Sequence, residues 1–297
     1  MSEILARVSP SGILVEPAFE LVDEGLAARV DPSRPVVVRA YMPAADGPGA
    51  RTALRDVRRS LGHLQAFGLR PIGALQTRRV TETDWLTPWR RHFPVIRVGR
   101  RIVIRPSWRR HRAAPRDVVL ALDPGVAFGT GLHPTTRLCL EGIEGWDASG
   151  LVAGSRLLDL GCGSGILGLA AARLGARYVL GLDLDLLAVE ATLANARRNR
   201  VARVVRARRG SVPSGEPPFD LVAANLVAQV LVLLAPAIYA EIRPGTGTTG
   251  TGGRLLASGI FADREPEVRR AFNAAGFHMV GRIIDGEWVL LEAERVN

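Results

Sequence analysis

One short stretch decides the fold: Leu157–Leu167, with the sequence LLDLGCGSGIL. It passes from an apolar strand through a glycine turn into a helix. Three glycines at alternate positions let the backbone bend sharply and approach a ligand closely, which a Cβ atom would block. The residues after the turn are small and apolar, so the turn opens onto a helix N-terminus with free N–H groups. The stretch therefore indicates a nucleotide-like ligand.

The spacing of the glycines narrows the class of ligand. A dinucleotide fingerprint has the pattern G-x-G-x-x-G, which suits a pyrophosphate, whereas this turn reads G-x-G-x-G and has Ile166 at the sixth position. Asp183 follows the apolar run Tyr178–Leu182 and is placed to accept hydrogen bonds from two ribose hydroxyls. A nucleoside without a pyrophosphate is favoured, and S-adenosylmethionine fits. The alternative is a tight turn in an ordinary α/β sheet that binds no ligand.

The composition is that of a globular protein with room for two domains, since the chain has 297 residues of which 47% are hydrophobic. The start of the chain has no apolar signal-peptide core, and its two cysteines, Cys139 and Cys162, have no disulfide-framework or metal-ligand spacing. We therefore expect a cytoplasmic monomer with reduced thiols and no bound metal. Leu221–Ala240 is apolar enough to resemble a membrane span, but a buried strand followed by a buried helix explains it better.

The positive charge is concentrated in one segment. The net charge is +10, and every basic residue is arginine. Residues Arg78–Arg112 contain 11 arginines against the two acids Glu82 and Asp84, which gives this segment a charge of +9. The segment is either a surface that meets RNA or a nucleoprotein partner, or a solvated arginine-rich hairpin and linker.

Residues 1–105 are predicted to form a small α+β domain. Its aromatic pair Trp85 and Trp89 has helical spacing, which favours packing over a recognition patch. Residues 106–117 are predicted to be a linker. The predicted elements of the small domain are strands at Val36–Tyr41, Pro71–Leu75 and Ile102–Arg105 and a helix at Arg51–Phe67.

Residues 118–297 are predicted to form an α/β domain. A strand at Val118–Leu122 leads into the loop Asp123–Thr136, which is rich in turn and hydroxyl residues and resembles a cofactor-facing loop. Pro134 suits the first turn of the helix that follows. His133 in this loop is either a catalytic base or a residue that orders and caps the loop, and the second role is favoured.

Strands and amphipathic helices then alternate, which predicts a parallel sheet with helices on both faces. Its ligand should bind at the carboxyl ends of the strands, where Gly161, Asp183 and Asn225 share one rim. Gly245–Gly253 interrupts the pattern as a flexible insertion. The predicted strands are Arg156–Leu160, Tyr178–Leu182, Arg203–Arg206, Phe219–Ala224, Arg254–Ser258 and Phe277–Ile284, with Trp288–Leu291 as an antiparallel partner. The predicted helices are Ser164–Leu174, Leu186–Arg200, Val227–Ile242 and Asp263–Ala275.

Asn225 is the candidate for positioning the methyl acceptor. A carboxamide at the rim can accept a hydrogen bond from an amine and hold it near a methyl donor. Adenine N6 methyltransferases have an Asx-Pro-Pro-aromatic motif at this point, and the aromatic stacks on a flipped base. The chain has Asn225-Leu226-Val227-Ala228 there, with neither the prolines nor the aromatic. An aliphatic amine is therefore favoured over a nucleobase.

Together these motifs resemble the ribosomal protein L11 methyltransferase family, which belongs to the class I S-adenosylmethionine-dependent methyltransferases. The resemblance covers most of residues 84 to 292. It depends most on the loop from Asp123 to Thr136, the glycine turn, Asp183 and Asn225, and on Ser258-Gly259-Ile260 and Trp288. It implies a Rossmann-like, seven-stranded methyltransferase sheet with a ferredoxin-like N-terminal domain that recognises L11. The Gly/Thr insertion departs from the family pattern.

The resemblance also implies the substrate, namely the N-terminal amine and lysine side chains of L11. It implies that Thr136, Gly161, Asp183 and Asn225 bind S-adenosylmethionine. We add Asp159, Gly163, Phe128 and Thr130 as further cofactor-binding candidates. We expect Asn225 to position the amine without a dedicated general base. Two alternatives stay open: an RNA methyltransferase that holds rRNA through Arg78–Arg112, and a cofactor-binding regulatory protein without catalysis.

Overall fold

The structure is a computed structural model that describes residues 13–16, 19–22, 27–30, 37–40, 48–66, 73, 75–77, 94–122, 131–245 and 252–296. The chain divides into two compact units, Met1–Trp89 and Arg90–Asn297. Each unit is described by itself. The domain boundaries expected at residues 105 and 117 stay a prediction.

The described residues of the first unit form two antiparallel strand pairs and one helix. Strand β1 (Ile13–Glu16) pairs with β4 (Val37–Ala40), and β2 (Phe19–Val22) pairs with β3 (Ala27–Val30). Helix α1 (Pro48–Ala66) confirms the helix predicted from its apolar periodicity, and β4 confirms the predicted strand. A strand was predicted at 71–75. Of these residues the structure describes 73 and 75, and neither belongs to a strand. The Trp85 and Trp89 pair lies outside the described residues, and the ferredoxin-like arrangement stays a prediction.

The second unit begins with a small three-stranded sheet. Strand β6 (Ile102–Pro106) pairs antiparallel with β5 (Ile96–Val98) and parallel with β7 (Val118–Leu122). The strand predicted at Ile102–Arg105 is confirmed. Because β6 pairs with β7, it belongs to the same unit as the large sheet. The segment between β6 and β7 contains neither helix nor strand.

The remaining chain alternates between strands and helices, as the sequence predicts. Its elements are α2 (Pro134–Ala148), β8 (Arg156–Leu160), α3 (Ile166–Arg173), β9 (Tyr178–Asp183), α4 (Leu186–Arg198), β10 (Val205–Arg209), β11 (Leu221–Asn225), α5 (Ala228–Glu241), β12 (Arg254–Phe261), α6 (Glu265–Ala275), β13 (Phe277–Asp285) and β14 (Trp288–Arg295).

The seven strands form one sheet in the order β10-β9-β8-β11-β12-β14-β13. The first five are parallel, and β14 runs antiparallel to both of its neighbours. Successive residues of β8 bury opposite faces: Leu157 packs in a core with α2 and α3, and Leu158 packs in a second core with α5 and α6. The chain therefore has a Rossmann-like methyltransferase fold, and the order of its strands reverses between β8 and β11, where such sheets bind ligands.

Three strands differ from their predicted bounds by three or more residues at one end. Strand β12 was expected to end at Ser258 but continues to Phe261. Strand β10 was expected at Arg203–Arg206 but begins at Val205, because α4 is followed by a turn in which Arg200 has a left-handed φ of 61°. Strand β14 continues to Arg295, well past the predicted Leu291, because its backbone stays paired with β12 as far as Glu294 and with β13 as far as Arg295.

The apolar run at Leu221–Ala240 forms β11 and most of α5, as expected. Within the part of the chain that the structure describes, no helix is long and apolar enough to cross a membrane. Most of the Gly245–Gly253 insertion lies outside the described residues.

Candidate active site at the carboxyl rim of the sheet

The glycine turn joins β8 to α3 in a backbone conformation that requires glycine. Gly161, Gly163 and Gly165 have φ values of 72°, 52° and 80°, in the left-handed region that other residues rarely adopt. The carbonyl of Leu182 accepts hydrogen bonds from the N–H groups of Gly161 and Cys162, at 2.8 and 3.1 Å. The turn is thus fixed to the end of β9, where Asp183 lies.

Asp183 is half-buried and contacts the turn directly. Its Oδ2 accepts from the Gly163 N–H at 2.9 Å, and its Oδ1 accepts from the Asp185 N–H at 3.0 Å. A carboxylate has about four lone-pair sites, so each oxygen can accept a further hydrogen bond. The predicted proximity of Asp183 to the glycine turn is confirmed, and this geometry suits a vicinal diol.

Asp159 lies beneath the turn and is fully buried. Its Oδ2 accepts from the Gly168 N–H of α3 at 2.8 Å. Burial raises the pKa of Asp159 to about 7, and the negative charge of Asp183 adds to the increase, while the hydrogen bond from Gly168 opposes it. These contacts give Asp159 a role in supporting the turn. Its direct contact with a cofactor stays a prediction.

Two buried polar residues of α4 hold the turn from the other side. Thr192 Oγ1 donates to the Gly163 carbonyl at 3.0 Å, and Asn195 Nδ2 donates to the Ser164 carbonyl at 2.9 Å. Our sequence interpretation did not include either residue. The sequence does carry a signal for them, because the two polar side chains are three residues apart and so share the inward face of the helix. Buried polar side chains need hydrogen-bond partners, which an apolar neighbour would not provide.

Asn225 ends β11 and contacts the first turn of α2. Its Nδ2 donates to Thr136 Oγ1 at 3.4 Å, and Thr136 is fully buried. A Cβ atom on Gly161 would collide with Leu226, so the segment that follows Asn225 packs against the glycine turn. The rim therefore brings Gly161, Asp183 and Asn225 to neighbouring strand ends, as predicted. Phe128 and Thr130 lie outside the described residues.

His133 caps the helix that contains Thr136. Its Nδ1 accepts from the Thr135 N–H at 3.4 Å, and it is the N-cap residue of α2. Burial lowers the pKa of His133, and the positive charge of Arg137 lowers it further, which favours the neutral ring. The predicted capping role is confirmed.

An aromatic stack that the sequence interpretation missed lies beside this cap. Phe261 and Trp288 stack with ring centroids 4.0 Å apart and an interplanar angle of 28°. The His133 ring meets Trp288 edge-on, with the centroids 4.7 Å apart. The three residues come from β12, β14 and the loop before α2, and only the pairing of the strands brings them together.

The arginine-rich segment is partly engaged in internal contacts. Arg97 forms an ion pair with Asp117 at 2.8 Å, and its hydrogen bond lowers the pKa of Asp117 to about 2. Arg101 pairs with Asp147 at 2.5 Å, and Arg105 donates to three backbone carbonyls. These three arginines therefore stabilise the small sheet and the turn after it. Residues 78–93 lie outside the described residues.

Comparisons with known proteins identify the family of this chain. The sequence profile of one family, described as Ribosomal protein L11 methyltransferase (PrmA), matches residues 2–296. A relative of that name from Chloroflexus aurantiacus is 43% identical over 321 residues, which cover 99% of this chain and 93% of the relative. One from Geobacter sulfurreducens is 38% identical and covers 98% of this chain and 92% of the relative.

A solved structure, the ribosomal protein L11 methylase of Lactobacillus delbrueckii subsp. bulgaricus, superimposes with a TM-score of 0.60 at 29% identity. The match covers 69% of this chain and 100% of that chain. The family resemblance inferred from the glycine turn, the Thr136 loop and Asn225 is therefore confirmed. The chain belongs to the ribosomal protein L11 methyltransferase family.

Proposed function

We propose that this chain transfers methyl groups from S-adenosylmethionine to amino groups of ribosomal protein L11, namely its N-terminal amine and lysine side chains. One observation carries the proposal: the Gly163–Asp183 and Thr136–Asn225 contacts lie on the same rim. The first suits the nucleoside of a methyl donor, and the second suits an amine acceptor. The names of the relatives support L11 as the substrate.

The residues of the rim fit S-adenosylmethionine. The left-handed glycines form a tight turn beside Asp183 at the end of β8, and the half-buried Asp183 carboxylate retains acceptor sites for ribose hydroxyls. Its negative charge disfavours a phosphate. When bound, S-adenosylmethionine supplies a methyl group attached to a positively charged sulfonium. Loss of the methyl group turns the sulfonium into a neutral thioether, so the leaving group needs no acid.

Asn225 orients the acceptor. Because its Nδ2 donates to Thr136, its Oδ1 is the atom that can accept a hydrogen bond from the incoming amine. Holding two reactants in line supplies a large part of the barrier reduction in reactions of this kind. The structural support for Asn225 as a positioning residue is that Thr136, a buried residue of a capped helix, fixes its amide.

The acceptor must be a neutral amine, although a lysine in water has a pKa of about 10.4. Entry into a partly dry site beside a positive sulfonium lowers that pKa, so the amine loses its proton to solvent before it attacks. We assign no general base to this step. His133 uses its Nδ1 to cap α2, which supports a structural role for that residue.

The test is incubation of the purified chain with methyl-labelled S-adenosylmethionine and either L11 or rRNA. We expect label in L11 and none in rRNA, with mass spectrometry locating the methyl groups on amines. L11 whose amines have been acetylated is the matched control and should take up no label. Label in rRNA alone would support the RNA methyltransferase alternative, and no transfer to either would support a non-catalytic protein.

Internal partners at three of the seven described arginines in the basic segment weaken the case for rRNA binding by those three. Arg97, Arg101 and Arg105 make internal contacts with carboxylates and carbonyls, which supports a structural role for that part of the basic segment. Contact of the remaining arginines with rRNA, the cytoplasmic location and the monomeric state stay predictions.

A further inference from the structure

The stacked rings of Phe261 and Trp288, termed here the aromatic shelf, have no role in the site as described so far. Phe261 ends β12 and Trp288 begins β14, and the two residues are directly paired across the strands. Trp288 packs partly against the buried core, whereas Phe261 is 45% exposed. A half-exposed phenylalanine stacked on a second ring presents an apolar surface to solvent that core packing does not explain.

Two independent connections place the aromatic shelf next to Asn225. Through the strands, Asn225 is paired with Ser258, and Phe261 ends the same strand three residues later. Through the helix, His133 touches Trp288 and begins the helix in which Thr136 contacts Asn225. The shelf therefore lies on the side of Asn225 away from Asp183, because β9 and β12 lie on opposite sides of β11 in the sheet.

Both charged and apolar residues lie near the shelf, since Asp285 is paired with Trp288 across β13 and β14. Leu132, immediately before His133, is 43% exposed, and Val227, two residues after Asn225, is 63% exposed. Single exposed apolar residues are common on protein surfaces. An exposed aromatic stack at the rim of a ligand site is a stronger candidate for contact with a substrate. The exposed ring of Phe261 is therefore the feature at this end of the rim that can contact an acceptor.

We propose that the aromatic shelf binds the acceptor side chain of the substrate, with the aliphatic stem of a lysine lying against the rings. This inference rests on the proposed function, because it assumes an amine acceptor at Asn225. The ring faces attract the ammonium before it loses its proton, and they attract the methylammonium that forms when the N–C bond replaces the S–C bond. A flat nucleobase could also stack on these rings, so the incubation with L11 or rRNA described above distinguishes the two kinds of acceptor.

The experiment compares Phe261→Leu with Phe261→Tyr, using L11 as the acceptor. Leucine keeps an apolar contact but removes the ring face, whereas tyrosine keeps it. We expect Phe261→Leu to lower kcat/KM for L11 about tenfold, with Phe261→Tyr close to the wild type. The affinity for S-adenosylhomocysteine, measured by calorimetry, should be unchanged in both variants, which also shows that the fold is intact.

Trp288→Phe and Leu233→Ala complete the set. Trp288→Phe keeps a ring at the partly buried position and should lower kcat/KM less than Phe261→Leu does. Leu233 is 77% exposed on α5, and its replacement by alanine controls for the loss of any exposed apolar side chain. Full kcat/KM in Phe261→Leu would overturn the shelf while leaving the proposed function intact. A wild-type chain that does not methylate L11 would overturn the proposed function and, with it, the shelf's role in binding the acceptor.

Discussion

The side-chain nitrogen of Asn225 lies 3.4 Å from the hydroxyl oxygen of Thr136, and this contact joins positions 89 residues apart in the sequence. Asn225 is the last residue of β11, and Thr136 lies in the first turn of α2. The contact uses the donor of the amide and leaves its oxygen to accept. The same pair therefore fixes the side chain of Asn225 and determines which of its atoms meets the substrate.

Asn225→Ala should abolish methyl transfer to L11 without unfolding the chain. Removal of a positioning group displaces the acceptor from its line of attack, which we expect to lower kcat by about 100-fold or more. Because Asn225 is half-buried, its truncation should change the free energy of unfolding by less than about 1 kcal/mol. The rate of label transfer and a urea denaturation curve measure the two effects.

Thr136→Val serves as the companion variant to Asn225→Ala. Valine keeps a similar shape but removes the hydroxyl that accepts from Asn225 Nδ2. The amide then loses its fixed orientation but stays in place, so the loss of kcat should be smaller than in Asn225→Ala. Full activity in Asn225→Ala would exclude the positioning role.

Asp183→Ala should weaken the binding of S-adenosylhomocysteine by about 10- to 100-fold, since a hydrogen bond to a charged group contributes roughly 1.5–3 kcal/mol. Asp185→Ala is the matched control. Asp185 caps α4 by accepting from the Leu187 N–H at 2.9 Å, so its loss should cost about 1 kcal/mol of stability and leave binding within a few-fold. Calorimetry that gives equal affinities for the two variants would contradict the ribose assignment.

The buried carboxyl of Asp159 should make the stability of the chain depend on pH. Its pKa is about 7 in the folded chain, whereas an exposed aspartate has a pKa of about 3.9. Between these values the folded state retains a proton that the unfolded state has lost. The contribution of Asp159 to stability is therefore fully present below about pH 4, and it is lost as the pH rises to about 7.

Asp159→Asn isolates this contribution. Asparagine keeps an oxygen that can accept from the Gly168 N–H but does not titrate. The free energy of unfolding of the wild type should fall relative to that of the variant between pH 5 and pH 7, and the difference should stay constant above about pH 7. Urea denaturation of both proteins at several pH values measures it, and parallel curves across this range would show that Asp159 is already ionised.

Features that depend on neighbouring residues could be predicted from the sequence. The glycine turn is set by the spacing of Gly161, Gly163 and Gly165, and the alternation of strands and helices follows from local periodicity. Asp183 and Asn225 follow apolar strands, so a parallel sheet necessarily places them at one edge. The rim was therefore predictable, although the contact that fixes Asn225 was not.

Features that depend on strand register or on distant pairing could not be predicted in this way. The aromatic shelf exists because Phe261 is paired with Trp288 after an irregularity in the register of β12 and β14. The hydrogen bond from Thr192 to the Gly163 carbonyl forms only when α4 packs beside the glycine turn, and no local sequence pattern specifies that packing. Strand β6 likewise finds its partner β7 only through tertiary pairing.

The glycine turn should tolerate a methyl group far less well than an open turn with the same backbone conformation. Gly165 and Gly154 have similar φ values, 80° and 75°, so alanine at either position incurs the left-handed cost of about 1–2 kcal/mol. A Cβ on Gly165 would lie 2.8 Å from Thr192 Cγ2, whereas one on Gly154 would meet nothing within 4 Å. Gly165→Ala must therefore also displace Thr192, at a further cost of about 1–3 kcal/mol, and it releases the hydrogen bond from Thr192 to the Gly163 carbonyl.

We expect Gly165→Ala to be less stable than Gly154→Ala in urea denaturation. Unlike Gly154→Ala, it should also lose affinity for S-adenosylhomocysteine, because Gly163 also donates to Asp183. Equal affinities in the two variants would show that the position of Gly163 does not depend on Thr192.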